Sequence, residues 1–223
     1  MKRTDLKKNL LVIALAGVCI GAVTFVLLLF SALAITAPRE VQAGAPTEQL
    51  RGDVDRIIDL LNNDTLKKKD REDKIVSIVR ARFDFPTMSQ WILGVNWRKA
   101  SPDEQKRFID LFTRLLEHTY MSKIESYTGE YGRENVRYAQ ERQEKDKALV
   151  NTFIVTKSAE IPVNYKLILS NGQWRVYDVV IEEVSLVRNY RSTYSEIVNR
   201  EGFKGLFAKM EQKIAEPVQE SKK

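Results

Sequence analysis

Side chains able to do covalent or proton-transfer chemistry are few in this sequence and far apart. His118 is the one imidazole and Cys19 the one thiol. A nucleophile needs an activating base beside it. Cys19 sits inside an apolar run, and His118, between Glu117 and Thr119, has no second group at catalytic spacing, so it reads as a polar side chain at the edge of a helix. One Cys and one His also exclude a disulfide framework and a zinc site built from soft ligands. Glu182-Glu183 resembles a carboxylate pair, but adjacent strand residues point to opposite faces. Asp178, beside Tyr177, reads as a hydrogen bonder at a strand end. Gly202 and Gly205 flank Phe203-Lys204, a helix junction rather than a phosphate-cradling loop. The expectation is a protein that is not an enzyme and has no cofactor and no metal.

Charge narrows the partners. The 223 residues hold 36 Lys plus Arg against 30 Asp plus Glu, a net charge of +6. Five of those cations and two of those acids precede Ala45, which leaves 31 against 28, or +3, for the rest. Lys67-Lys68-Lys69 is answered at once by Asp70, Glu72 and Asp73, and no run of cations interleaved with aromatics follows. The footprint of a nucleic-acid binder is missing.

Leu10 to Ala37 is almost uninterrupted apolar sequence behind Lys2, Arg3, Lys7 and Lys8. That length crosses a bilayer and exceeds an ordinary signal-peptide core, which favours an anchor. Pro38 and the small residues of Val41-Gln42-Ala43 favour a cleaved signal instead. Either way the basic end stays inside, and everything after Pro38 is sent outward. Residues 1–44 therefore read as a signal peptide or signal anchor with a linker, 45–215 as the working domain, and 216–223 as a polar tail. Cys19, preceded by Val18, reads as a buried apolar thiol rather than a lipidation site.

Ordered structure is expected from Leu50. Leu50, Val54, Ile57, Ile58 and Leu61 recur at helical spacing up to Asn62-Asn63-Asp64. Asp70 to Arg82 is a second helix, and Phe83-Asp84-Phe85-Pro86 breaks it. Met88 to Val95 forms a short third. Ser101-Pro102-Asp103-Glu104 carries a cap, a proline at the first helical position and a Glu to close a capping box. The long helix it starts runs to about Tyr127 before Gly129, with Phe108, Leu111, Phe112, Leu115, Leu116, Tyr120 and Ile124 on one broad face. From Asn135 the period becomes two: Val136 to Glu144, Ala148 to Thr156, Ile161 to Ser170 and Gln173 to Ile181 read as four antiparallel strands, the last pair joined by Asn171-Gly172. Val163, Tyr165, Leu167 and Leu169 share one face of the third strand. Helical spacing returns after Ser185 and again after Gly202. Helices, a meander, then helices make an α+β domain with a curved sheet packed against its N- and C-terminal helices. These apolar faces suffice to fill one another as an ordinary core.

Two stretches say more. Trp174-Arg175-Val176-Tyr177-Asp178-Val179-Val180-Ile181-Glu182-Glu183-Val184-Ser185-Leu186-Val187, continued by Asn189-Tyr190-Arg191 and Gly202-Phe203-Lys204-Gly205-Leu206, resembles the MlaC family of periplasmic lipid carriers, also called toluene-tolerance auxiliary proteins of ABC transporters. Leu93-Gly94 with Asn96-Trp97-Arg98-Lys99-Ala100-Ser101-Pro102-Asp103-Glu104-Gln105 resembles that family's other recurrent stretch. The likeness spans Leu50 to Ile214 and departs at the long Leu10 to Ala37 segment. It implies an NTF2-like fold enclosing phospholipid acyl chains, with the headgroup near solvent. It also implies a role in outer-membrane maintenance, shuttling lipid between an inner-membrane MCE-protein ABC transporter and an outer-membrane lipoprotein complex. The location implied is the periplasm, either soluble after cleavage near Ala43 or tethered by Leu10 to Ala37. A hopanoid-associated carrier and a tethered adaptor of the same fold without lipid are the alternatives. By facing pattern, the expected pocket residues are Phe112, Leu116 and Tyr120 on the long helix, Tyr165 and Leu167 on the third strand, and Val176 and Val180 on the fourth.

Overall fold

The structure, a computed structural model, describes residues 45–125 and 132–217. The apolar segment Leu10 to Ala37 with Cys19, the cleavage position near Ala43, the helix end between Tyr127 and Gly129, and the tail beyond Pro217 lie outside the described residues. Among the described residues no helix is long and apolar enough to cross a membrane.

The described elements belong to one unit, Gln42–Lys223. Helix α1 (Pro46–Leu61) begins four residues before the expected start, because Pro46 occupies the first helical position, where its missing N–H costs nothing. Helix α2 (Lys68–Arg82) follows. Helix α3 (Phe85–Leu93) also starts earlier than its apolar spacing implied: the Asp84 carboxylate accepts the Thr87 N–H at 2.9 Å, and Pro86 lies in the first turn. A 3-10 turn (Gly94–Arg98) leads to helix α4 (Pro102–Glu125), whose capping box forms as expected. Ser101 N–H donates to Glu104 at 2.8 Å, and Glu104 N–H donates to the Ser101 hydroxyl at 3.2 Å.

Strands β1 (Val136–Glu144), β2 (Lys147–Val155), β3 (Glu160–Ser170) and β4 (Gln173–Ile181) form the antiparallel meander, all within one residue of the expected bounds. Asn171 and Gly172 both take positive φ, 51° and 73°, as a two-residue hairpin requires. A fifth strand, β5 (Val184–Ser185), corrects the expected count of four. Its two residues carry no periodicity to read. Glu182 and Glu183 are the turn into it, both at positive φ and both exposed, which removes them as a carboxylate pair. Helix α5 (Leu186–Ala215) is broken at Gly202 (φ 68°, ψ −175°), giving the two C-terminal helical segments expected.

The outer edge of β4 is covered twice. Phe83 bridges to Val176, with Asp84 N–H on the Val176 carbonyl at 2.8 Å, and β5 pairs farther along. The start of α5 is fixed by Asp178, a carboxylate only 3% exposed that accepts from the Ser185 hydroxyl at 2.8 Å, Val187 N–H at 3.1 Å and Lys166 Nζ at 3.0 Å. Ser185 in turn caps the helix by accepting Arg188 N–H.

Candidate functional site

Register decides which side chains share each face of the sheet. Across β2, β3 and β4 the partners Ala148, Leu167 and Val176 form one row, Val150, Tyr165 and Val179 the next, and Thr152, Val163 and Ile181 the third. These rows make one contiguous apolar face with Leu50 of α1 packed on it. Burial is complete in the middle, where Leu167 and Val176 are 0% exposed. It thins toward the far end: Ile154 and Ile161, directly opposed, with Ile181, Tyr138, Val54 and Leu186, are only partly buried.

The opposite face meets the other core cluster. Tyr177 and Ile168 reach it from the sheet, and α3, α4 and α5 supply the rest. Phe112 stacks on Phe108 with centroids 5.9 Å apart and meets Tyr190 edge-on at 5.3 Å. Phe83 packs against both clusters and is the apolar link between them.

The seven residues expected to line a pocket are thus divided. Phe112, Leu116 and the partly buried Tyr120 belong to the helical cluster; Tyr165, Leu167 and Val176 lie together on the sheet face under α1. Val180 is separated from Val176 by a bulge. Leu167 pairs with Val176 and Lys166 with Asp178, so Tyr177 is an extra residue that reverses the parity of everything after it. Val180 then pairs with Asn164 on the other face, and Val179 takes the place beside Tyr165. Sequence spacing carries no trace of such an insertion. Tyr138 packs on the same face although β1 reads as a polar strand.

Polar clamps hold α1 onto the sheet. Asp53 is 5% exposed and pairs with both Arg56 and Arg82. Two guanidiniums offset the cost of burying that carboxylate. Arg82 also donates to the Trp174 carbonyl and, at 3.0 Å, to Gln49, which accepts the Trp174 N–H at 3.0 Å. At the start of the helix Thr47 N–H donates to Glu141 at 2.8 Å. Two open clefts border α1. One of about 440 Å³ separates it from α2, with Leu60 and Ile78 among Arg56, Asp59, Lys74 and Ser77. The other, about 190 Å³, lies against β1 and is lined by Thr47, Arg51, Tyr138, Glu141 and Val150 among others.

Two phenols lie on the sheet face. Burial raises the Tyr165 hydroxyl to about 12, and burial, reinforced by Tyr165, Asp55 and Glu48, carries Tyr138 higher still. Both stay neutral at any physiological pH. His118 is partly buried on α4 beside Glu117, which bonds Arg80. Among the described residues no group of three or more His, Cys, Asp or Glu is placed to hold a metal ion. The arrangement is an apolar sheet face under α1 with two phenols on it.

Known proteins share this architecture. The profile of one family, described as MlaC protein, matches residues 52–212. An intermembrane phospholipid transport system binding protein MlaC from Haemophilus influenzae is 23% identical over 133 residues, 57% of this chain and 60% of that relative, so the chain matches less than two thirds of its length. Toluene tolerance protein ttg2D of Pseudomonas putida is 25% identical over 175 residues, 76% of this chain and 77% of its own. A phospholipid-binding protein from Ralstonia solanacearum, solved in complex with a phospholipid, superposes with a TM-score of 0.67 at 22% identity, covering 75% of this chain and 96% of that one.

Proposed function

The chain belongs to the MlaC family, and from that premise we propose that it is an extracytoplasmic carrier that encloses phospholipid acyl chains against the apolar face of its sheet. The observation that carries this reading is the incomplete cover of that face, where Ile154, Ile161 and Ile181 pack against the cluster of Leu50 but stay only partly buried.

The energetics set the requirement. Two acyl chains of about thirty methylenes cost about 24 kcal/mol if left in water, at about 0.8 kcal/mol each, so enclosure must be nearly complete. The open clefts beside α1 do not enclose chains, and loading therefore draws α1 and α2 away from the sheet. Tyr165, Leu167, Val176 and Val179 then line the chains, and the headgroup faces solvent. Phe112, Leu116 and Tyr120, in the helical cluster, and Val180, on the opposite face, lie away from the chains in this reading.

A bilayer offers the same chains a nearly equal apolar environment, so net preference for the carrier is small and direction is set by partners. Those partners, in this reading, are an inner-membrane MCE-protein ABC transporter and an outer-membrane lipoprotein complex, with the periplasm as the compartment between them. No bond is made or broken. The test is mass spectrometry of organic extracts from the exported chain purified without detergent. Phospholipid near one molecule per chain supports the carrier; a folded chain that yields no lipid and takes none from liposomes leaves an adaptor of the same fold.

A further inference from the structure

One buried polar atom on the site's face is unaccounted for. The Tyr138 hydroxyl is enclosed and has no hydrogen-bond partner among the described residues. Such a group costs free energy and calls for an explanation. Its ring is held from outside by the Arg51 guanidinium, 4.5 Å from the centroid, and it follows Val136 up to the point where the β1–β2 register slips. A bulge at that point re-aims a strand side chain. Tyr138 pairs with Thr152 and Tyr165 with Val150, so the two side chains flank β2 on the same face. Thr152 offers nothing further as a donor, since its hydroxyl is bonded to the Val163 carbonyl at 2.6 Å.

We propose that Tyr138, seconded by Tyr165, is the polar contact of the lipid site and donates a hydrogen bond to an ester carbonyl of the bound lipid. This deepens the carrier reading and rests on it. The donor is a neutral phenol, because burial suppresses its ionisation. The acceptor must therefore be a group that can itself be buried. A phosphate is disfavoured: Glu48, Asp55 and Glu141 stand around this end of the sheet face and outnumber the Arg51 guanidinium that lies over the ring. An ester carbonyl is uncharged and lies at the junction of chain and headgroup, which matches a donor placed where the apolar face meets the β1 cleft. Pure hydrocarbon would leave the hydroxyl unpaired.

The test uses the full chain, stripped of lipid, and vesicles of diester phosphatidylethanolamine or of its diether counterpart, which lacks the carbonyls. One neutral hydrogen bond predicts about a fivefold preference of the wild type for the diester. Tyr138→Phe keeps the ring and the Arg51 contact and is expected to take up both lipids equally. Lipid-free Tyr138→Phe is expected to unfold at the same temperature as wild type or higher, because the atom removed had no partner. Equal uptake of the two lipids by wild type, a preference that survives Tyr138→Phe, or a less stable lipid-free variant each overturns the assignment. A wild type that takes up neither lipid fails the carrier reading itself and is distinguished by that.

Discussion

Replacing Asp53 by Asn is expected to loosen α1 without dissolving the sheet. The side chain is isosteric, yet it leaves Arg82, whose side chain is 15% exposed, without its counter-charge beneath the helix. Removing one partner of a buried ion pair costs about 3–5 kcal/mol. Arg82 keeps the Trp174 carbonyl and Gln49, and Arg56 is free to turn to water, so the lower end, about 3 kcal/mol, applies. If that cost falls on the attachment of α1, the open population rises about a hundredfold at 1.4 kcal/mol per decade. Two readings follow from one variant. Amide exchange in α1 accelerates by about two decades while the β2, β3 and β4 amides hold their rates, and lipid passes to acceptor vesicles correspondingly faster. Uniform acceleration across helix and sheet would show that the pair stabilises the whole fold and that α1 does not open separately. Unchanged exchange in α1 would refute the energetic argument outright.

Other consequences are direct. Asp178→Ala strips Ser185, Val187 N–H and Lys166 of their shared acceptor and is expected to cost about 3–5 kcal/mol in urea unfolding, with Asp178→Asn losing clearly less because it keeps an acceptor oxygen; equal losses would refute the network. Gly94 sits at φ 54°, and a Cβ there would lie 2.8 Å from Arg191 Nη2. Gly94→Ala should cost about 1–3 kcal/mol, and since Arg191 can swing aside, adding Arg191→Ala should recover little of it. At alkaline pH, Tyr165 and Tyr190, raised by burial to about 12 from an ordinary value near 10, hold their protons longer folded than unfolded. The folded state then binds more protons, so their contribution is complete below pH 10 and is lost as pH rises through 12. Tyrosinate absorbance and circular dichroism should change together in that window; ionisation of these groups near pH 10 with the fold intact would contradict it.

Legibility in the sequence follows the length over which a pattern repeats. The meander was legible because alternation runs through nine or more residues per strand and Asn171-Gly172 names its own turn. The capped start of α4 was legible because its signal is chemical and local. Single-residue events were not. The bulge at Tyr177 changes no composition, yet it carries Val180 across the sheet and brings in Val179. Tyr138 escaped because its neighbours are polar and its burial comes from α1, far away in sequence. The division of Phe112 and Leu116 from Tyr165 and Leu167 is a matter of which sheet face each helix meets, and periodicity reports that a face is apolar but never what lies against it.

If loading uncovers the apolar sheet face as proposed, the open chain presents β structure to other copies of itself. The edges decide whether that becomes aggregation. On one side, Phe83, Asp84 and β5 occupy the backbone groups of β4 along two separate stretches. On the other, β1 breaks its register after Tyr138 and continues as Gln140, Glu141, Arg142, Gln143 and Glu144, all exposed and polar and three of them charged. Neither edge offers a flat, neutral ladder for a second chain to extend. Strands protected in this way at both edges are poor templates for fibril growth, which would make a long-lived empty carrier compatible with high local concentration.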